Sequence, residues 1–249
     1  MLLAASIAEI YRFEFVLHLS QYRGGKNAIE DLPLINTIVL KKYNQINSNT
    51  SQLAYFDNLF HSYLLNDRFL PHLKSGLSIE QSLKSIEEYK KKLLSFEINL
   101  PLIVLFGKHV EDKEPQLFLE GITHLAIAEE VYKDHINLIE ILNRPDFKWE
   151  NMPNRYEQTI SMVYIMSVLN EKEKSYLLTL LSRKYKLHED DEKNLIKTII
   201  KSKDFINYNV REFIKSYLFT GVTQLQEVLP LTENSFVHKR IKQLENKVN

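Results

Sequence analysis

Residues 118–142 read FLEGITHLAIAEEVYKDHINLIEIL, a run long and regular enough to set the fold class. An α-helix turns about 100° per residue, so side chains four apart stand nearly above one another. On such a helix Glu130 and Asp134 share a face and are placed to share one cation. Glu129, Lys133, Asn137 and Glu140 form a neighbouring polar strip, in which Glu129 and Lys133 make a favourable i,i+4 pair. Asp134 lies where this strip meets the apolar surface of Ile127, Leu138 and Ile141. The stretch predicts one long helix whose carboxylates Glu129, Glu130 and Asp134 are candidate metal ligands.

Composition agrees with a helical protein. With 6 glycines and 7 prolines in 249 residues there is little material for a turn-rich all-β fold. Lys+Arg and Asp+Glu are equal at 32 each, so no net field draws the chain to nucleic acid or to an anionic membrane. The lack of cysteine removes disulfides, thiolate metal sites and cysteine nucleophiles, and fits a reducing compartment. The opening MLLAASIAEIYRFEF is apolar but has no basic leader, and Glu9, Arg12 and Glu14 interrupt it, unlike a signal peptide. No run approaches the ~18 apolar residues of a spanning helix. No integral membrane segment is expected, and a cytoplasmic location is predicted.

Periodicity predicts further helices over 2–22, 33–43 and 53–73. Between the first two, Arg23-Gly24-Gly25-Lys26-Asn27 reads as a helix end and turn, since P-loop spacing is missing. Ser78 and Gln81 form a capping box that opens a helix over 79–95, and Pro101 is expected to begin or kink another apolar segment. Pro115 suits the first turn of the central helix, and Asn143-Arg144-Pro145 ends it. Beyond lie a buried helix over 155–169, one over 171–185 capped by Asn170, and the dipole-matched run HEDDEKNLIKTIIKS. Helices over 208–228 and 234–247 close the chain. Strand alternation and internal repeats are missing, which predicts a single all-α domain over 1–249 of roughly ten helices.

The order of these segments resembles the class I trans-prenyltransferases, the polyprenyl synthetase family of isoprenoid diphosphate synthases. Ala8-Glu9-Ile10 through Val16-Leu17-His18 is similar to the helix leading to that family's first D-D-x-x-D motif, with His18 at a position where histidine is common. Leu19 to Arg23 follow in place of the motif, so its aspartates are missing. Ile86-Glu87-Glu88-Tyr89 resembles the E-E-Y helix, but Phe96 and Glu97 stand where its Lys-Thr pair belongs. The stretch from Phe118 to Asp134 resembles the helix of the second D-D-x-x-D, with Glu130 and Asp134 at its ends and Val131 replacing its middle aspartate. Thr159 alone matches the G-K-x-T-x-P pattern, whereas NEKEKSYLLTLLSRK, NLIKTIIKSKDFI and FIKSYLFTGVTQLQEVLP follow the terminal helices closely.

The resemblance implies an isoprenoid-synthase-type bundle, truncated at its N-terminus where the isopentenyl diphosphate site belongs. It implies Mg2+ held by Glu130, Asp134 and Glu129, a prenyl diphosphate near His18, Arg23 and Lys26, and a homo- or heterodimer. In that family, facing carboxylate clusters hold magnesium ions that neutralise a departing diphosphate. Without one cluster, leaving-group departure loses much of its electrostatic stabilisation. The implied function is that of a divergent synthase, either weakly active in prenyl transfer or a non-catalytic subunit of a heteromeric enzyme. The alternative is a helical interaction scaffold without a small-molecule site. Residue by residue, bland roles compete with these: surface acids for Glu130 and Asp134, a packed core histidine for His18, and ordinary packing for Tyr55, Phe56, Phe60 and Tyr63.

Overall fold

The computed structural model describes residues 78–106, 112–149, 152, 156, 159–181, 188–229 and 236–248. Among them the chain is all-α, with no strand. Seven helices run in order: α1 Ile79–Phe106, α2 Lys113–Leu142, α3 Ile160–Val168, α4 Glu171–Leu181, α5 Glu189–Lys201, α6 Lys203–Val228 and α7 Phe236–Val248. None of the described helices is long and apolar enough to cross a membrane. The helices expected over 2–22, 33–43 and 53–73, with His18, Arg23, Lys26 and the aromatic row at 55–63, lie outside the described residues.

Local chemistry explains most of the boundaries. At the start of α1, the Gln81 amide donates to Ser78 Oγ at 3.2 Å and the Ser78 amide to Gln81 Oε1 at 2.9 Å. This is the reciprocal capping box that the sequence predicts. Asn170 and Glu173 build a second one before α4, at 2.9 and 3.0 Å. Thr159 caps α3 by accepting from the Met162 amide at 3.2 Å while its hydroxyl donates to the Tyr156 carbonyl at 3.1 Å. His188 caps α5, whose first turn carries Glu189, Asp190, Asp191 and Glu192 and whose last turn carries Lys201, as the helix dipole favours. Pro115 sits in the first turn of α2, and Asn143 ends that helix by donating its side-chain amide to the Ile139 carbonyl at 2.8 Å.

Three expected boundaries are corrected. The helix over 79–95 does not stop before Pro101, because α1 continues through it to Phe106. A proline removes only the hydrogen bond of its own nitrogen and crowds the carbonyl four residues back, so the ladder can close on either side of it. The helix expected over 155–169 begins only at Ile160, where Thr159 with extended backbone satisfies the first free amides. The helix expected from 208 begins at Lys203, because Ile206 already turns into the core and Asp204 suits the first turn.

Contacts divide the chain into two compact units, one taking in Lys92–Thr123 and the other Phe69–Lys91 with His124–Asn249. In the first unit Leu94 and Leu119 are buried, and the Thr123 hydroxyl donates to the Leu119 carbonyl at 2.8 Å. In the second, α3 is apolar on nearly every side and packs against α5 and α6, while α5 also contacts α4 and α6, and α7 lies along α6. Its core is built from Ile127, Val131 and Leu138 of α2, Met162 and Ile165 of α3, and Ile206, Val210 and Ile214 of α6. Burying such side chains contributes roughly 1.5–3 kcal/mol each before chain entropy is set against it. Trp149, in the loop after α2, is buried edge-on to Phe147, and its amide donates to Glu192 Oε1 at 3.0 Å.

Candidate functional site

Among the described residues, the buried polar side chains of the second unit are Ser82 and Lys90 of α1, His135 of α2, and Thr159 and Ser161 at the start of α3. On α1, Ser82, Ile86 and Lys90 follow one another at i,i+4 spacing and are all buried. A lysine in such a stripe must keep its ammonium group paired or lose its charge. Lys90 Nζ donates to Asp134 Oδ2 at 2.8 Å, and the two side chains are only 8% and 13% exposed. The cation at Asp134 is therefore the chain's own.

Glu129 is held in the same way. Lys133 donates to its Oε1 at 2.9 Å and Arg240 of α7 donates to the same oxygen. Burial by itself would raise the pKa of this carboxyl, but Lys133 and Arg240 outweigh it and hold it below the usual range. Glu130 is half-buried on the face it shares with Asp134. Of the three expected metal ligands, two thus form ion pairs with different cationic partners. Among the described residues no group of three or more His, Asp or Glu side chains is arranged to hold a metal ion.

One residue beyond Asp134, His135 is also buried and bridges three helices. Its Nδ1 lies 3.0 Å from Ser161 Oγ of α3 and its Nε2 lies 2.9 Å from Asn207 Oδ1 of α6. An amide oxygen only accepts, so in this arrangement Nε2 carries the proton and Nδ1 accepts from the Ser161 hydroxyl. A neutral imidazole satisfies both contacts. Burial is the main cause of a pKa below the ordinary histidine value; the Asn207 bond opposes it, and Arg211 and Lys203 reinforce it. A serine hydroxyl donating to an imidazole is the elementary nucleophile–base pair. Ser161, however, is 1% exposed and no substrate carbonyl can reach its oxygen, so the trio serves as a buried tie between α2, α3 and α6.

A third cluster lies towards the start of the same face. Lys91 donates to Glu87 at 2.9 Å, and its ammonium stands 5.8 Å from the centre of the Tyr217 ring. Tyr217 is stacked on Phe213 at 4.8 Å and tilted against His124 at 5.3 Å. Its buried hydroxyl makes no hydrogen bond of good geometry. The Glu87 carboxylate is nonetheless near enough for the two groups to bias each other. Burial first, then Glu87, raises the Tyr217 pKa. For Glu87 burial acts upwards, but Tyr217, Lys91 and His124 together bring it below its ordinary value.

None of Lys90, His135, Ser161, Asn207 and Tyr217 was a candidate site residue in the sequence reading. Two carried a usable signal: Lys90 interrupts the apolar row of α1, and His135 interrupts the row of Val131 and Leu138 on α2. Thr159, the single match to the G-K-x-T-x-P pattern, is occupied as a helix cap. Comparison with protein-family models, with curated proteins and with solved structures finds no match.

Proposed function

We propose that this chain is a divergent isoprenoid synthase-like protein that acts as a non-catalytic subunit of a heteromeric synthase. The observation that supports this reading is the buried Lys90–Asp134 ion pair. A magnesium ion needs several oxygen ligands, usually carboxylates together with substrate phosphates. At Asp134 it competes with the Lys90 ammonium group, which stands 2.8 Å from Oδ2, and taking that oxygen leaves Lys90 buried without a counter-charge. Removing one partner of such a pair costs roughly 3–5 kcal/mol, which weighs against Mg2+ binding on that face. The carboxylates that would work on a diphosphate in an active synthase then serve to hold α1, α2 and α7 together.

The test is a turnover and binding assay with purified protein, Mg2+, isopentenyl diphosphate and allylic diphosphates of several lengths, run beside Asp134→Ala and Glu130→Ala. Binding of an allylic diphosphate without pyrophosphate release is the expected result. Magnesium-dependent release that Asp134→Ala abolishes would sink the non-catalytic assignment. A second reading, a helical interaction scaffold with no small-molecule site, is favoured by the exposed aromatic side chains Phe205, Tyr208 and Phe219 of α6. A folded protein that binds none of the diphosphates decides for the scaffold.

A further inference from the structure

The bond from His135 Nε2, at 2.9 Å, fixes which way round the Asn207 amide stands. With Oδ1 taken up by the imidazole, the two donors of Asn207 Nδ2 are left over, and among the described residues they meet no acceptor. Lys203 and Arg211 stand one turn before and one turn after Asn207, on the same side of α6. Lys203 is half-buried and Arg211 exposed, and neither pairs with a carboxylate among the described residues. The third cation of α6, Lys215, does pair, with Glu212 at 3.1 Å. Both unpaired charges disfavour a proton on His135, so both lie within electrostatic reach of the ring that holds Asn207. Eight residues of helix span about 12 Å, a distance that a lysine and an arginine leaning towards each other are long enough to close.

We propose that Lys203, Asn207 and Arg211 form a binding site for a phosphoryl group, carried by a small phosphate monoester or by free phosphate. The three side chains offer an ammonium, an amide NH2 and a guanidinium, which are all donors. A phosphoryl group is the complementary ligand, since its oxygens only accept and the guanidinium fork fits two of them at once. Its charge of about −1.5 to −2 at neutral pH also matches the two cations, where a carboxylate brings only one charge. The positive end of the α6 dipole lies at Lys203 and adds to the attraction. Asp204, one turn from Asn207, is exposed and weakens the field without occupying any of the three donors. His135 is a positioning residue here, because it holds the Asn207 oxygen and leaves the amide nitrogen for the ligand. The site uses none of Glu129, Glu130 and Asp134, so its failure and the failure of the function proposed above are separable.

The experiment titrates the full chain with inorganic phosphate and, separately, with glycerol phosphate, followed by calorimetry and by NMR of side-chain amides. Both probes are expected to bind and to shift the Asn207 amide signal, and the tighter of the two tells the free ion from the monoester as the source. Lys203→Gln and Arg211→Gln should each weaken binding by roughly tenfold, as the loss of a charge-assisted hydrogen bond does. Asn207→Asp keeps an oxygen for His135 but exchanges the two donors for a negative charge. It should abolish binding while circular dichroism and Trp149 fluorescence stay those of the wild type. Asp204→Asn should tighten binding, and Lys174→Gln, which takes the same charge from α4, should change nothing. A wild-type chain that binds neither probe at millimolar concentration overturns the proposal. So does an Asn207→Asp variant that still binds, or a loss in Lys174→Gln equal to that in Arg211→Gln.

Discussion

Replacing Lys90 by methionine should unfold the second unit more easily than any surface change, and the size of the effect follows from how the pair is buried. The methionine keeps most of the lysine's bulk but removes the ammonium group that donates to Asp134 at 2.8 Å. Asp134, 13% exposed, is then left without its counter-charge. Breaking a buried pair from one side costs roughly 3–5 kcal/mol, and the residual exposure of Asp134 places this case near ~3 kcal/mol. Replacing both partners, Lys90→Met with Asp134→Leu, removes the charge problem and should return stability to within about 1 kcal/mol of the wild type. Urea unfolding at neutral pH, followed by fluorescence of the sole tryptophan, reads this directly. Trp149 is 3% exposed and belongs to the same compact unit as the pair. With a urea dependence of about 1–3 kcal/mol per molar, the single variant should lose about 1–3 M in its midpoint with an unchanged slope. A single variant that loses less than about 0.3 M, or a double variant no more stable than the single one, refutes the reasoning.

Two further outcomes follow from the neighbouring clusters. His135 has a folded-state pKa below the ordinary value of about 6.5, chiefly through burial, so the unfolded chain binds its proton first. Its contribution is complete above about pH 6.5 and is lost as the pH falls towards the folded pKa; His135→Gln should flatten that loss between about pH 7.5 and 5.5 in urea midpoints. An unchanged slope in the variant counts against the buried neutral imidazole, since Glu87 and Glu129, both lowered, act only at more acid pH. Tyr217→Phe removes a buried hydroxyl that makes no good hydrogen bond, and should leave stability unchanged or raise it by up to about 1 kcal/mol. The same substitution should move the Glu87 pKa upwards in a carboxylate titration followed by NMR. A loss beyond about 1 kcal/mol would show that the hydroxyl has a partner in solution.

What the sequence made legible was local. The Ser78–Gln81 box and the Asn170 cap each join a side chain to an amide three residues on, and their chemistry is complete within one turn. The same holds for the end of α2 at Asn143 and for the acidic start of α5. The charged cluster on α2 was visible, but the partners that decide what it does were not. Lys90 lies 44 residues from Asp134, Arg240 lies 111 from Glu129, and Asn207 lies 72 from His135. Helical periodicity tells which residues share a face and gives no information on which other face they meet. Two carboxylates one turn apart look alike whether a metal ion or a lysine stands between them and the next helix.

Ser202 joins α5 to α6 by itself. Its amide donates to the carbonyls of Thr198 and Ile199 at 3.1 Å, and its own carbonyl accepts from the Ile206 amide at 3.1 Å. One residue therefore closes the last turn of one helix and opens the first of the next, leaving no slack between them. Each residue inserted here would rotate everything beyond it by about 100° relative to α5. That rotation would take Ile206 and Val210 out of the core and bring the exposed side chains of Phe205, Tyr208 and Phe219 round towards it. Length variation, which loops usually absorb without harm, is forbidden at this joint, and a single-residue insertion there should be worse tolerated than most substitutions in the core.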